Sequence, residues 1–383
     1  MKIFIKIIFL FCLFLILNVN KTIAQEKIKI GLLVPLTGEN SEIGKSIIKS
    51  VRLAINKIDN SVIEIIPKDT GSNPQTTLKN ALNMKEEGIK IIIGPVFNKN
   101  LIYLDEVKDV FFLSLTNKII KNPKNIISAG INARSQFNTI NKFQKLNELK
   151  KTIILIPKEN YKEEIETAIQ KSKITVDRVY YYDSDPTKLT KQIEKITKYS
   201  RRKQNVLDEI KRLESSDDPN KDKKIERLEK RDTIGNLGFD SIIILDFDES
   251  LKSVTTSLLY TDVSPKKTSF ITLNQWFDRS LLKEKTIQPI YFPSINKKNY
   301  ESFIKNYKKN FNTSPNELSF LSYDLVGLVY YLMVKNNYKI DNKIFLEKNQ
   351  FKGNVGIFDI KENKINYILN FYKVDGNDFI KIF

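Results

Sequence analysis

Gly44-Lys45-Ser46 has the form of the tail of a phosphate-binding loop, and Asp246 closes the apolar run Ile242-Ile243-Ile244-Leu245 like a magnesium-holding carboxylate. Such a loop needs G-x-x-x-x-G-K-[ST], because its glycines let successive backbone N–H groups wrap the phosphates. Counting back from Gly44, the first glycine belongs at position 39, where Glu39 stands; Gly38 is one residue early. A glutamate aimed at a phosphate repels it, so the spacing argues against a nucleotide. Asp183, Asp185, Asp246, Asp248 and Glu249 are carboxylates of the kind a glycosidase pairs, yet the spacing singles out no facing pair. Histidine is absent from the chain. That removes Ser-His-Asp and Cys-His catalysis and every His-liganded metal site. The expectation is a protein without catalytic residues, metal or cofactor.

The charge balance points the same way. A formal charge of +18 over 383 residues suggests an anionic polymer as partner, but only nine of the 63 basic residues are Arg. Bidentate recognition of phosphate or guanine favours Arg. The lysines accompany abundant Ile and Asn, a composition that A/T-rich codons produce. No nucleic-acid partner is expected.

The elements that would position any site alternate between strand and helix. Ile28-Lys29-Ile30-Gly31-Leu32-Leu33-Val34 reads as a strand, followed by a loop through Ser41 and a helix with Ile43, Ile47, Val51, Ile55 and Ile58 on one face. Strands are expected at 62–66, 89–93, 110–115, 152–156, 174–182, 241–245 and 269–273, with helices at 75–87 and 158–171. Near-continuous apolar strands are typical of a parallel sheet covered on both faces. The number of βα units exceeds what one sheet comfortably takes, so the reading is α/β with two lobes, each a doubly wound, mostly parallel sheet.

Residues 1–24 read as a secretory signal. Lys2 and Lys6 precede an apolar run at 7–17, too short for a bilayer span, and Thr22-Ile23-Ala24 offers small residues for cleavage before Gln25. If retained, the segment is an anchor. If cleaved, it leaves no membrane span and a periplasmic chain. Cys12 sits inside the apolar run instead of after it, so no lipoprotein is expected, and cleavage removes the only cysteine. Losing Lys2, Lys6 and Lys21 lowers the charge from +18 to +15.

One stretch interrupts the alternation. Residues 195–232 carry 13 basic and nine acidic side chains, and Val206, Leu207, Ile210 and Leu213 keep helical spacing until Ser215-Ser216-Asp217-Asp218-Pro219-Asn220 breaks it. Ile225 and Leu228 resume the spacing, as in an inserted helical hairpin. It is either a solvated surface insertion or a docking arm for another protein.

Ile30-Gly31-Leu32-Leu33-Val34-Pro35-Leu36-Thr37-Gly38 and the helix behind it resemble the opening of type I periplasmic binding proteins, the Leu/Ile/Val-binding superfamily. Lys68-Asp69-Thr70, Ile92-Ile93-Gly94-Pro95-Val96 and Phe112-Leu113-Ser114-Leu115-Thr116 follow in that family's order. Asp232-Thr233-Ile234-Gly235, Leu258-Leu259-Tyr260-Thr261-Asp262-Val263, Gln275-Trp276-Phe277-Asp278 and Ser322-Tyr323-Asp324 narrow the resemblance to its penicillin-binding-protein activator branch, whose members also carry a charged helical insertion. The resemblance implies the two-lobed type I fold. Lobe 1 would comprise 25–133 and 279–350, lobe 2 would comprise 134–278 and 351–383, and the 195–232 insertion would lie within lobe 2. It further implies a ligand cleft with Thr37, Phe97, Ser114 and Thr116 on one side, Tyr161 on the other, and Trp276 as a further candidate. Two functions follow from it. One is a factor that contacts penicillin-binding proteins and promotes peptidoglycan synthesis. The other is a solute receptor for an ABC permease carrying an amino acid or similar small anion. Lys162 stands where receptors have Gly, and Val96-Phe97-Asn98 where many offer Ser, which favours the first.

Overall fold

The computed structural model describes residues 27–58, 62–118, 123–158, 162–340, 344–345 and 350–383. The expected signal (1–24), Cys12 and Tyr161 lie outside the described residues. The first half contains β1 (Ile28–Val34), α1 (Ser41–Ile58), β2 (Ile63–Asp69), α2 (Pro74–Glu86), β3 (Ile91–Ile93), β4 (Phe111–Ser114) and β5 (Ile126–Ser128). After α3 (Ala133–Leu146) come β6 (Thr152–Pro157), α4 (Lys162–Lys171), β7 (Arg178–Tyr182), α5 (Pro186–Thr197), α6 (Tyr199–Glu214) and α7 (Lys221–Glu229). Then follow β8 (Ser241–Ile244), α8 (Asp248–Tyr260), β9 (Ser269–Thr272), β10 (Ile290–Ser294), α9 (Lys297–Phe311) and α10 (Glu317–Lys335). The chain closes with β11 (Gln350–Lys352), β12 (Ile357–Lys361), β13 (Lys364–Ile368), β14 (Asn370–Asp375) and β15 (Asp378–Lys381).

Two sheets result. One runs β11-β12-β13-β5-β4-β3-β1-β2 and the other β15-β14-β10-β9-β8-β6-β7. The βα-linked strands pair in parallel, while β11–β12–β13 and β10–β14–β15 pair antiparallel. The apolar runs are explained by burial on both faces. Along β1, Ile30, Leu32 and Val34 enter one core and Leu33 the opposite one; along β6, Ile153 and Leu155 part from Ile154 and Ile156 in the same way. α10 is long and apolar enough to cross a membrane, but Phe320, Leu321, Leu325, Val326 and Leu332 pack it into the first lobe's core.

The strands change sheets later than the sequence reading placed them. β10, expected with lobe 1, lies in the second sheet, where Ile290 stands beside Phe270 in parallel with β9. Residues 351–368, expected with lobe 2, belong to the first sheet, where β13 extends the row alongside β5 at Ser128. The chain therefore crosses between sheets at 129–132, at 295–296 and, through the single residue Leu369, between β13 and β14. Pro293 and short 3-10 turns at Arg279–Leu282 and Lys285–Ile287 disguise β10 in the sequence.

Gly44 lies inside α1 and permits close packing. A Cβ there would come 1.7 Å from the Pro35 carbonyl oxygen. Ser46 is buried, meets the Ser319 hydroxyl at 2.7 Å and accepts from the Asn316 N–H at 2.9 Å. The phosphate-loop fragment is thus a helix–helix seam. The charged insertion folds as α6 and α7. Its root is Arg202, 6% exposed, which donates to the Thr261 carbonyl at 3.0 Å and the Thr233 hydroxyl at 2.5 Å. Beside it the Tyr199 hydroxyl donates to Asp232 at 2.7 Å, which first among the causes raises its pKa to about 12. α7 buries none of its side chains.

Candidate functional site

The C-terminal ends of the first sheet's strands face those of the second across a cleft of about 1370 Å³. Ligands of open α/β sheets bind at such ends, where backbone groups and loop side chains converge.

The sequence-predicted residues divide into two groups. Phe97, Thr116 and Trp276 line the cleft. Thr37 and Ser114 are not among the lining residues. Thr37 sits in the loop after β1, and its hydroxyl donates to the Asp69 carboxylate at 2.6 Å. The N–H groups of Leu36 and Gly71 reach the same carboxylate at 2.6 and 2.8 Å. Burial opposes ionisation of Asp69, but these bonds outweigh it and hold the carboxyl below its ordinary range. Ser114 is wholly buried; its hydroxyl donates to the Pro95 carbonyl at 3.1 Å and accepts from the Thr116 N–H at 3.3 Å. The Thr116 hydroxyl accepts from the Lys118 N–H at 3.1 Å.

The second lobe presents the loop after β9, held by buried amides. The Asn274 N–H donates to the Gln136 side chain at 2.7 Å, tying the loop to α3. The Asn274 side-chain oxygen accepts from the Ser294 hydroxyl at 2.7 Å and the Trp276 N–H at 3.1 Å. Gln275 donates to the Thr272 hydroxyl at 3.0 Å. This anchoring holds two consecutive bulky residues in the left-handed region, Trp276 at φ +48° and Phe277 at φ +60°. Such a conformation is costly for a residue with a Cβ and persists only where the surroundings enforce it. Trp276 faces Tyr300 of α9 with ring centroids 6.1 Å apart. Phe277 meets Tyr372 edge-on at 5.0 Å and lies 6.1 Å from Tyr300. Tyr300 belongs to the first lobe's core and Tyr372 to the second's, so the two aromatics bridge the lobes.

Charge closes the seam elsewhere. Glu362, in the β12–β13 turn, pairs with Arg134 of α3 at 3.3 Å and Lys171 of α4 at 2.7 Å. The Lys171 hydrogen bond leads the causes that hold its carboxyl below the usual range. Glu164 of α4 feels Lys364 and Lys118 from the opposite lobe, yet burial dominates and raises its pKa. Lys297, at the start of α9, pairs with Asp378 at 2.6 Å.

Sequence reasoning missed the α9 wall. Tyr300, Ile304, Lys305 and Lys308 line the cleft, as does Asp248 from the second lobe. Their three- and four-residue spacing on α9 is a visible signal, but it does not tell which lobe that face meets.

The sequence profile of a periplasmic binding protein family matches residues 27–172. No curated protein sequence matches the chain. The C-terminal domain of LpoA from Haemophilus influenzae, a regulator of PBP1A, superposes with a TM-score of 0.62 at 14% identity, covering 93% of this chain and 100% of that one. The branched-chain amino acid transporter substrate-binding protein LivJ from Streptococcus pneumoniae, in complex with isoleucine, gives 0.54 at 15%, covering 93% and 99%. A branched-chain amino acid ABC transporter periplasmic ligand-binding protein from Burkholderia xenovorans gives 0.65 at 11%, covering 93% and 95%. The fold is therefore the two-lobed type I periplasmic binding protein fold expected from the sequence, shared by regulator and receptors alike.

Proposed function

We propose that the chain is a non-catalytic periplasmic factor that promotes peptidoglycan synthesis by contacting a penicillin-binding protein. The carrying observation is that two of the hydroxyls expected to hold a ligand carboxylate have already given their hydrogens to the protein, Thr37 to Asp69 and Ser114 to Pro95. A carboxylate needs donors, and turning these two hydroxyls toward a ligand would take one hydrogen bond from the Asp69 carboxylate and one from the Pro95 carbonyl. The shared fold with a PBP1A regulator and the exposed outer helix α7 of the arm support the same reading. The arm is the proposed contact element, and the chain's proposed location is the periplasm.

A solute receptor for an ABC permease is the second reading. The open cleft favours it, as does the isoleucine-bound relative of the same fold. The two readings separate in one experiment on the mature chain. A thermal-shift screen against single amino acids is expected to be flat. Ligand at 100 times its dissociation constant adds about 2.7 kcal/mol, which such a screen detects. Capture of a cell-wall synthase by the intact chain, lost on deleting 200–232, is the expected companion result. A saturable shift with one amino acid, together with synthase capture that is absent or indifferent to the deletion, overturns the proposal.

A further inference from the structure

We infer that the cleft takes an extended peptide of about five residues with free charged termini, a ligand class independent of the arm's partner. Size comes first. At about 1370 Å³ the cleft exceeds the roughly 300–1000 Å³ of ordinary small-molecule pockets. One wall is the face of α9 that carries Lys297, Tyr300, Ile304, Lys305 and Lys308. The eleven steps from Lys297 to Lys308, at 1.5 Å each, make that wall about 16 Å long. An extended chain rises about 3.3 Å per residue, so the wall matches about five residues.

The chemistry of the walls selects the termini. Lys297 is occupied by Asp378, but Lys305 and Lys308 make no ion pair among the described residues. Asp248, at the start of α8 on the opposite lobe, likewise makes none and is exposed. Glu317 on the first lobe's wall and Arg279 on the second's also line the cleft without an ion pair among the described residues, so the cleft presents unpaired groups of both signs. A peptide with a free carboxylate and a free ammonium complements both signs; a purely anionic or neutral glycan complements at most one. Between the charges, half-buried Ile304 and Trp276 offer apolar and aromatic surface for alternate side chains, backed by buried Tyr300. The hydroxyls spent on Asp69 and Pro95 do not bear on this ligand, because its ends are held by side-chain charge.

Trp276 is the only tryptophan in the chain and lines the cleft, so its emission reports occupancy. The probe is a random pentapeptide pool with free termini and no aromatic residues, titrated to about 1 mM into the mature chain. A saturable emission change is expected. It should weaken about tenfold with the same pool acetylated and amidated, and about tenfold in K305E/K308E. Both lysines are exposed, and an unchanged melting temperature shows that the variant folds. No response to the free pool overturns the inference. So does an equal response to the blocked pool or to an N-acetylglucosamine pentasaccharide, or undiminished binding by K305E/K308E. Synthase capture by the arm is measured separately, so failure of either proposal leaves the other readable.

Discussion

Replacing Phe277 by alanine and by glycine separates the two energies stored at the lobe bridge. Truncating a fully buried Phe costs about 3–5 kcal/mol. Phe277 is half-buried with rings of Tyr372, Phe379 and Phe292 within 5.0–5.9 Å, so about 2–3 kcal/mol is expected for F277A. Alanine keeps a Cβ at φ +60°, a conformation that costs a side-chain-bearing residue about 1–2 kcal/mol. Glycine is free of that strain, although it loses about 0.5–1 kcal/mol more chain entropy than alanine. The ordinary order, in which glycine is the worse replacement, should therefore reverse. F277G should be the more stable of the two by about 0.5–1 kcal/mol. Urea titrations followed in parallel by Trp276 emission and far-ultraviolet circular dichroism measure both differences. A loss below about 1 kcal/mol for F277A would refute the aromatic bridge. Glycine equal to or worse than alanine would refute the strain.

G44A forces a Cβ to 1.7 Å from the Pro35 carbonyl oxygen and should cost about 1–3 kcal/mol or more, read as a lowered urea midpoint. E164Q should stabilise the protein at pH 7, because burial raises the folded-state pKa of Glu164. The wild-type deficit is absent below the unfolded carboxylate pKa of about 4.3 and grows as pH rises through the folded value, so melts of both proteins should converge toward pH 4 and separate above it. R202A removes the hydrogen bonds to Thr261 and Thr233 and should cost about 2–3 kcal/mol, with limited proteolysis now cutting within 199–232; unchanged cleavage would show that the arm is held by other contacts.

The fold was legible wherever its cause was local. The stripe on α1 and the apolar strands β1 to β4 and β6 to β9 carry their own period, the three-residue β5 does not, and the charged break after Lys195 marks the arm. β10 was not legible, because its place depends on parallel pairing with β9 across an irregular stretch containing Gln288-Pro289. β13 joins β5 across more than two hundred residues, a pairing no local pattern announces. At the cleft, Phe97, Thr116 and Trp276 could be placed by resemblance. The bonds that tie Thr37 to Asp69 and Ser114 to Pro95 could not, since they rest on those partners meeting them in space. Tyr300, Lys305 and Lys308 read as one more amphipathic helix until the neighbouring lobe gives that face something to enclose.

The late return of β11, β12 and β13 to the first sheet bears on how the molecule comes into being. A chain delivered from its amino end first has β1 to β5 in hand early, yet that sheet keeps a bare edge at β5 until residue 364 arrives. The second sheet likewise waits for β14 to cover β10. Neither half is a self-sufficient stretch of chain, so neither can finish while the other is being delivered. Both must be completed by the same final span of about thirty residues, and long-range pairing of this kind is slow. An exposed strand edge invites foreign pairing, which makes the interval before that span arrives the time when the nascent protein most needs an escort.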